Sequence, residues 1–191
     1  MDSNQITAKY TFSMGGVNFN VEIDESLSAE YRTKKYPNSN KKSFHFHPLH
    51  EVFFVFDDGI NVVFEQETKE YQNCIVCIPP NKKHFTMRNS DYRLLFSCEP
   101  NGAVKDDFSN FFINIFTSNV FCLPAIKQDV KEILRQLFFY FNNPQSAIID
   151  DVIVSFLKII FFQIYILNGA PLARNTKYGN ESRYIIISMT P

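Results

Sequence analysis

The stretch His45-Phe-His-Pro-Leu-His-Glu51-Val-Phe-Phe-Val-Phe56, closed by Asp57-Asp58-Gly59, sets the reading of the whole chain. His45 and His47 are two residues apart, so on a strand they share one face, about 6–7 Å apart along it. Glu51 has the same parity, with Pro48 breaking the strand between them. All four histidines, His45, His47, His50 and His84, lie in one forty-residue window. Three imidazoles (His45, His47, His84) and the Glu51 carboxylate converging on one point would make a candidate divalent-metal site. They would serve equally as the polar floor of a ligand pocket. His50 has the opposite parity to His47 and is expected at the surface or rim. Parity also places Phe53 and Val55 on the face of Glu51. Phe53 and Phe64 are then expected walls of a pocket, although packing explains them equally well.

Around this stretch, residues 8–100 read as strands. Val17-Asn-Phe-Asn-Val-Glu-Ile23 alternates apolar and polar at period two behind a Gly15-Gly16 turn. Asp57-Asp58-Gly59 is a hairpin signal, which predicts Ile60–Glu65 as the partner of Glu51–Phe56. Cys74–Ile78 is an apolar strand ending at Pro79-Pro80, followed by strands at His84–Arg88 and Tyr92–Cys98. Short strands at this spacing predict an antiparallel barrel or sandwich. Cys74 and Cys77 form a CxxC, but residues three apart on a strand point to opposite faces, so they are read as small buried hydrophobes. Lys82 and Lys83 precede His84 near the expected mouth. They could attract an anion, though a solvated loop face explains them more simply.

Beyond Glu99-Pro-Asn-Gly102 the pattern changes, and residues 103–124 carry no clear period. Ile126, Val130, Ile133, Leu134, Leu137 and Phe141 then recur at three and four, one face of a helix over 125–141. Asn142-Asn143-Pro144 stops it. Residues 148–167 form a second helix that is apolar nearly all round. Val152, Phe156 and Ile159 lie on one side, with Ile153, Leu157, Ile160 and Ile164 beside them. Such a helix must be covered on more than one side, and a second copy of the chain is the economical cover. Asp150, Asp151, Ser155, Lys158 and Gln163 argue against a membrane span. A net charge of −1 over 191 residues gives no electrostatic footprint for nucleic acid. Twenty-one Phe with no Trp must be absorbed by a core or an interface. The Met1-Asp-Ser-Asn-Gln5 start has no signal-peptide pattern, and the cytoplasm is expected.

His45-x-His47-x-x-x-Glu51, a later Gly59, and Pro79-x-Asn81-x-x-His84 resemble the two signature motifs of the cupin superfamily, HxHxxxE and PxGxxH. The likeness covers residues 44–98, with Asn81 where Gly is usual; Asn tolerates left-handed backbone better than most residues. The wider order of elements resembles the N-terminal sensor domain of AraC-family transcriptional regulators, although Asn73-Cys74 stands where Gly-Asp is frequent.

That resemblance implies a mainly β plus α fold, a cupin (jelly-roll-like) β-barrel followed by two antiparallel dimerisation helices. It divides the chain into an effector-binding barrel (1–102), a helical dimerisation region (103–170), and a linker or the start of a missing helix-turn-helix domain (171–191). It implies a small-molecule effector held by His45, His47, Glu51, Phe53, Phe64 and His84. A homodimer would form through the 125–141 and 148–167 helices, with DNA bound only through a domain absent from this chain, no membrane, and no catalysis. The resemblance fixes no cofactor, and His45, His47, Glu51 and His84 are the candidate ligands of a divalent metal. The alternative is a cupin metalloenzyme, a dioxygenase or isomerase, using that set of three histidines and one glutamate.

Overall fold

The structure, a computed structural model, describes residues 7–24, 44–56, 59–87, 92–104, 106–116, 120–124, 128–144 and 147–167. The tail 171–191, the turn residues Asp57 and Asp58, the turn at 89–91 and Ile126 lie outside them. Among the described residues, nine strands form two antiparallel sheets. β1 (Thr7–Met14), β2 (Val17–Asp24), β3 (His50–Val55), β6 (Cys74–Ile78), β8 (Tyr92–Pro100) and β9 (Phe121–Pro124) build the larger, in the order β1-β2-β8-β3-β6-β9. β4 (Ile60–Phe64), β5 (Thr68–Tyr71) and β7 (His84–Thr86) build the smaller, in the order β5-β4-β7.

Local sequence explains the first hairpin. Met14 pairs with Val17 across Gly15 and Gly16, both at positive φ, +54° and +72°. Two positive φ values in a two-residue loop match the right-handed twist of the flanking strands. At Gly15 a second constraint applies, because a Cβ there would sit 2.5 Å from the Phe108 ring. Beyond the turn, Val17, Phe19, Val21 and Ile23 are fully buried, as their alternation predicts.

The expected hairpin between Glu51–Phe56 and Ile60–Glu65 does not form. Both edges of β3 are taken, by β6 (Phe53 opposite Val76) and by β8 (Phe53 opposite Arg93). β4 crosses into the smaller sheet and pairs with β5 and β7. A turn signal does not by itself choose between pairing in one sheet and passing to the facing one.

β3 and β6, inside the larger sheet, are buried on both faces, which explains their unbroken apolar runs. Phe53, Val55, Val76 and Ile78 pack with Ile60, Val62 and Phe64 of the smaller sheet. Val52, Phe54, Ile75, Cys77, Leu94 and Phe96 pack the other way, under the helices. Cys74 and Cys77 therefore face opposite sides, and none of the four cysteines is in a disulfide.

The segment 103–124, which lacks a period, holds a short helix α1 (Asp107–Asn110), a π turn (Phe111–Ile115) and β9. Asp106 caps α1 by accepting from the Ser109 amide at 2.7 Å. The π turn puts Phe111, Phe112 and Phe116 into the core. There they join Phe12, Phe19, Phe96 and Phe161, with Phe19 and Phe161 centroids 4.7 Å apart. This aromatic layer accounts for much of the phenylalanine. β9 extends the larger sheet from within the region the sequence assigns to helices.

Two long helices complete the cover. α2 (Gln128–Asn142) buries Val130, Leu134, Leu137, Phe138 and Phe141. α3 (Ile149–Leu167) buries Ile153, Leu157, Ile160, Phe161 and Ile164. Near the start of α3, Asp150 hydrogen-bonds the Tyr10 phenol of β1, which burial and this carboxylate push up to about 12. The outward side leaves Phe139, Tyr140, Ile148, Ile159 and Phe162 exposed. No helix among the described residues is long and apolar enough to cross a membrane.

Candidate functional site

Pro48 separates the two histidine positions from β3, and the sheet-to-sheet passage there assembles the site. Residues before Pro48 attach to the smaller sheet: His45 and His84 exchange both backbone hydrogen bonds, each at 3.0 Å. Residues after it enter the larger sheet as β3. The His47 carbonyl accepts from the Asn81 amide at 2.8 Å, tying this segment to the loop that carries His84. Asn81 is left-handed, φ +62°, where the resembling motif has Gly, and Asn73 is left-handed as well, φ +48°. Asn is the non-glycine residue that tolerates this backbone well.

Glu51 is the centre of the constellation and is 1% exposed. His84 Nε2 lies 2.8 Å from Glu51 Oε2, Arg93 Nη1 donates to Oε1 at 2.7 Å, and His47 Nε2 stands 3.4 Å from Oε2. His84 Nδ1 lies 2.8 Å from the Lys82 carbonyl. His84 is thus held from both sides of its ring, by the Glu51 carboxylate and by the Lys82 carbonyl. Burial alone would raise the Glu51 pKa. The His84 hydrogen bond and the charges of Arg93, His84 and His47 overcome it and hold the carboxyl at about 2. Burial pushes His47 down, with Glu51 opposing and Arg93, His45 and His84 adding to the fall. The His45 and His84 ring centroids are 4.6 Å apart, and those of His45 and His47 are 5.1 Å apart.

The sequence-predicted residues fall as follows. His45, His47, Glu51 and His84 come together. Phe53 is fully buried with its ring edge-on to His84 at 6.3 Å, and Phe64 lies in the same interior cluster beneath. His50 is not at the surface: it is 6% exposed and stacks on Phe96 at 4.9 Å, because the face opposite Glu51 is itself covered by helices. Sequence reasoning misses Arg93. Glu51 pairs with Leu95 and Phe53 with Arg93, so Arg93 is a diagonal neighbour of Glu51 on the same face. An Arg inside the apolar strand Tyr92-Arg-Leu-Leu-Phe96 is the available signal. At the rim, Lys82 lies over the Phe64 ring at 5.6 Å and Lys83 pairs with Glu65 at 3.0 Å. A shallow pocket lined by Phe64, Glu65, Gln66, Glu67, Lys82 and Lys83 includes neither Glu51 nor a histidine.

His45, His47 and Glu51 each offer a ligand atom within 4.8 Å of the others, so this trio could hold a metal ion. His84 stands outside that trio, its nitrogens directed at Lys82 and Glu51.

No family model matches the chain, and no curated protein matches it. Among solved structures, the chain is similar to the crystal structure of a cupin-2 domain containing protein from Shewanella frigidimarina NCIMB 400. That likeness has 17% identity over 49% of this chain and 79% of that one, with a TM-score of 0.25.

Proposed function

We propose that the chain is the effector-sensing and dimerising part of a transcriptional regulator of AraC type, with a cupin-like ligand site at Glu51. The observation that carries this reading is the exposed apolar stripe of α2 and α3. Phe139 (59% exposed), Ile159 (43%) and Phe162 (43%) lie on the outward side of helices whose other side is packed, and Ile148 (62%) stands just before α3. Exposed apolar surface of this kind marks an interface. The polar cluster around Glu51 lies on the other side of the larger sheet. On this reading one sheet stands between the ligand site and the dimer face, and both could bias its packing. An effector acts only if it binds the two arrangements of the dimer with different affinity. DNA would be contacted by an attached helix-turn-helix domain.

Sedimentation equilibrium tests the dimer. The wild-type chain is expected to dimerise at micromolar concentration, and Phe162→Glu combined with Ile159→Glu to be monomeric with an unchanged circular dichroism spectrum. A wild-type monomer at high concentration removes this reading.

The second reading, a cupin metalloenzyme, is favoured by the His45-His47-Glu51 trio. A divalent ion held there would polarise a bound oxygen or activate water. On that reading, protein purified without metal resin contains one metal per chain, and His47→Ala loses it.

A further inference from the structure

Two buried nitrogens at the site have no hydrogen-bond partner among the described residues, Arg93 Nε and His47 Nε2. They flank opposite oxygens of one carboxylate, since Arg93 bonds Glu51 Oε1 and His47 stands at Oε2. A buried polar group without a partner is costly, and a native structure that keeps one calls for an explanation. Both nitrogens could be answered by a ligand, and Arg93 decides its chemistry. A guanidinium nitrogen never gives up its proton and never ligates a metal; it can only donate. Arg93 Nη1 is used by Glu51, while Nε belongs to the side edge of the guanidinium, the edge that grips planar two-oxygen groups. The acceptor capacity of Glu51 is meanwhile directed at Arg93 and His84. The unmet demand at this end of the domain is for acceptors, in a site with three imidazoles and a guanidinium around a single carboxylate.

We propose that the effector is a small carboxylate, held by the side edge of Arg93 and by His47, and that Arg93 is the residue that sets this specificity. The inference rests on the reading of this site as the effector site and names the class of ligand. It differs from metal binding in what it asks of His47: a proton on Nε2 for the carboxylate, a lone pair there for a metal.

The test is a titration of the full 15N-labelled chain, followed by NMR, with butyrate, succinate, butyramide, glucose, inorganic phosphate and Zn2+. The expected result is a saturable shift of the Arg93 Nε–H and His47 signals with butyrate or succinate, at least tenfold weaker with butyramide. Arg93→Lys, which keeps the charge and removes the side edge, is expected to weaken carboxylate binding at least tenfold. His47→Gln, which retains a donor, should weaken it less than His47→Ala does. If Arg93→Lys fails to fold, the His47 pair carries the comparison. Carboxylate binding that survives both Arg93→Lys and His47→Ala overturns the proposal, as does the absence of any saturable carboxylate response. Saturation by glucose or phosphate alone also overturns it while leaving the sensor reading in place. Binding of Zn2+ alone overturns both.

Discussion

Glu51 shows how a single residue is held in an improbable place. A carboxylate with 1% exposure stays ionised only because Arg93 and His84 each direct a hydrogen bond at it. Glu51→Gln removes the charge and leaves Arg93 and His84 facing an amide, and is expected to lower stability by about 3–5 kcal/mol, measured by urea unfolding. The pH dependence follows from the depressed pKa. In the unfolded chain Glu51 takes up its proton near the ordinary value of 4.5, in the folded chain near 2. Its contribution is complete above about pH 4.5 and is lost as pH falls toward 2, because the unfolded state binds the proton first. Urea midpoints measured across that window should drop in the wild type, and the drop should be smaller in Glu51→Gln. Much of the site is legible residue by residue. Parity puts His45, His47, Glu51 and Phe53 on one face, and the motif adds His84. Arg93 is not legible, since its nearness to Glu51 comes from the β3–β8 register, and nothing within either strand specifies register across forty residues.

Among the elements, periodicity locates α2 and α3 within a few residues and finds most of the strands. It does not find β5, whose Thr68-Lys-Glu-Tyr71 is mostly exposed and shows no apolar period. It does not find the π turn or β9 either, since short pieces that pack against neighbours carry no repeat of their own. The first hairpin is the element most tightly specified by local sequence. Gly15→Ala would place a Cβ at positive φ and against Phe108, and is expected to cost about 1–3 kcal/mol in chemical denaturation. Asn81→Gly should be near neutral, within about 0.5 kcal/mol, because glycine adopts the same left-handed φ without strain. A large loss in Asn81→Gly would mean that the side chain, and not the backbone, matters in that turn.

In the molecule as a whole, the larger sheet is the shared wall of two cores. Phe161 joins α3 to it, with its ring against Phe12, Phe19, Phe96 and Phe112. Phe161→Ala is expected to cost about 3–5 kcal/mol, read as a lower urea midpoint, and to loosen the helix pair from the sheet. The order of residues along the chain is enough to establish the strand and helix periods and the parity of the histidine strand. Those are local properties, written in the spacing of apolar residues. Packing in three dimensions is what places β3 between β6 and β8, buries His50, joins β9 to the sheet and brings Arg93 to Glu51. The physical reason is that alternation separates the two faces of a strand without saying what covers each. Both faces of β3 and β6 are covered, and the partners come from distant parts of the chain.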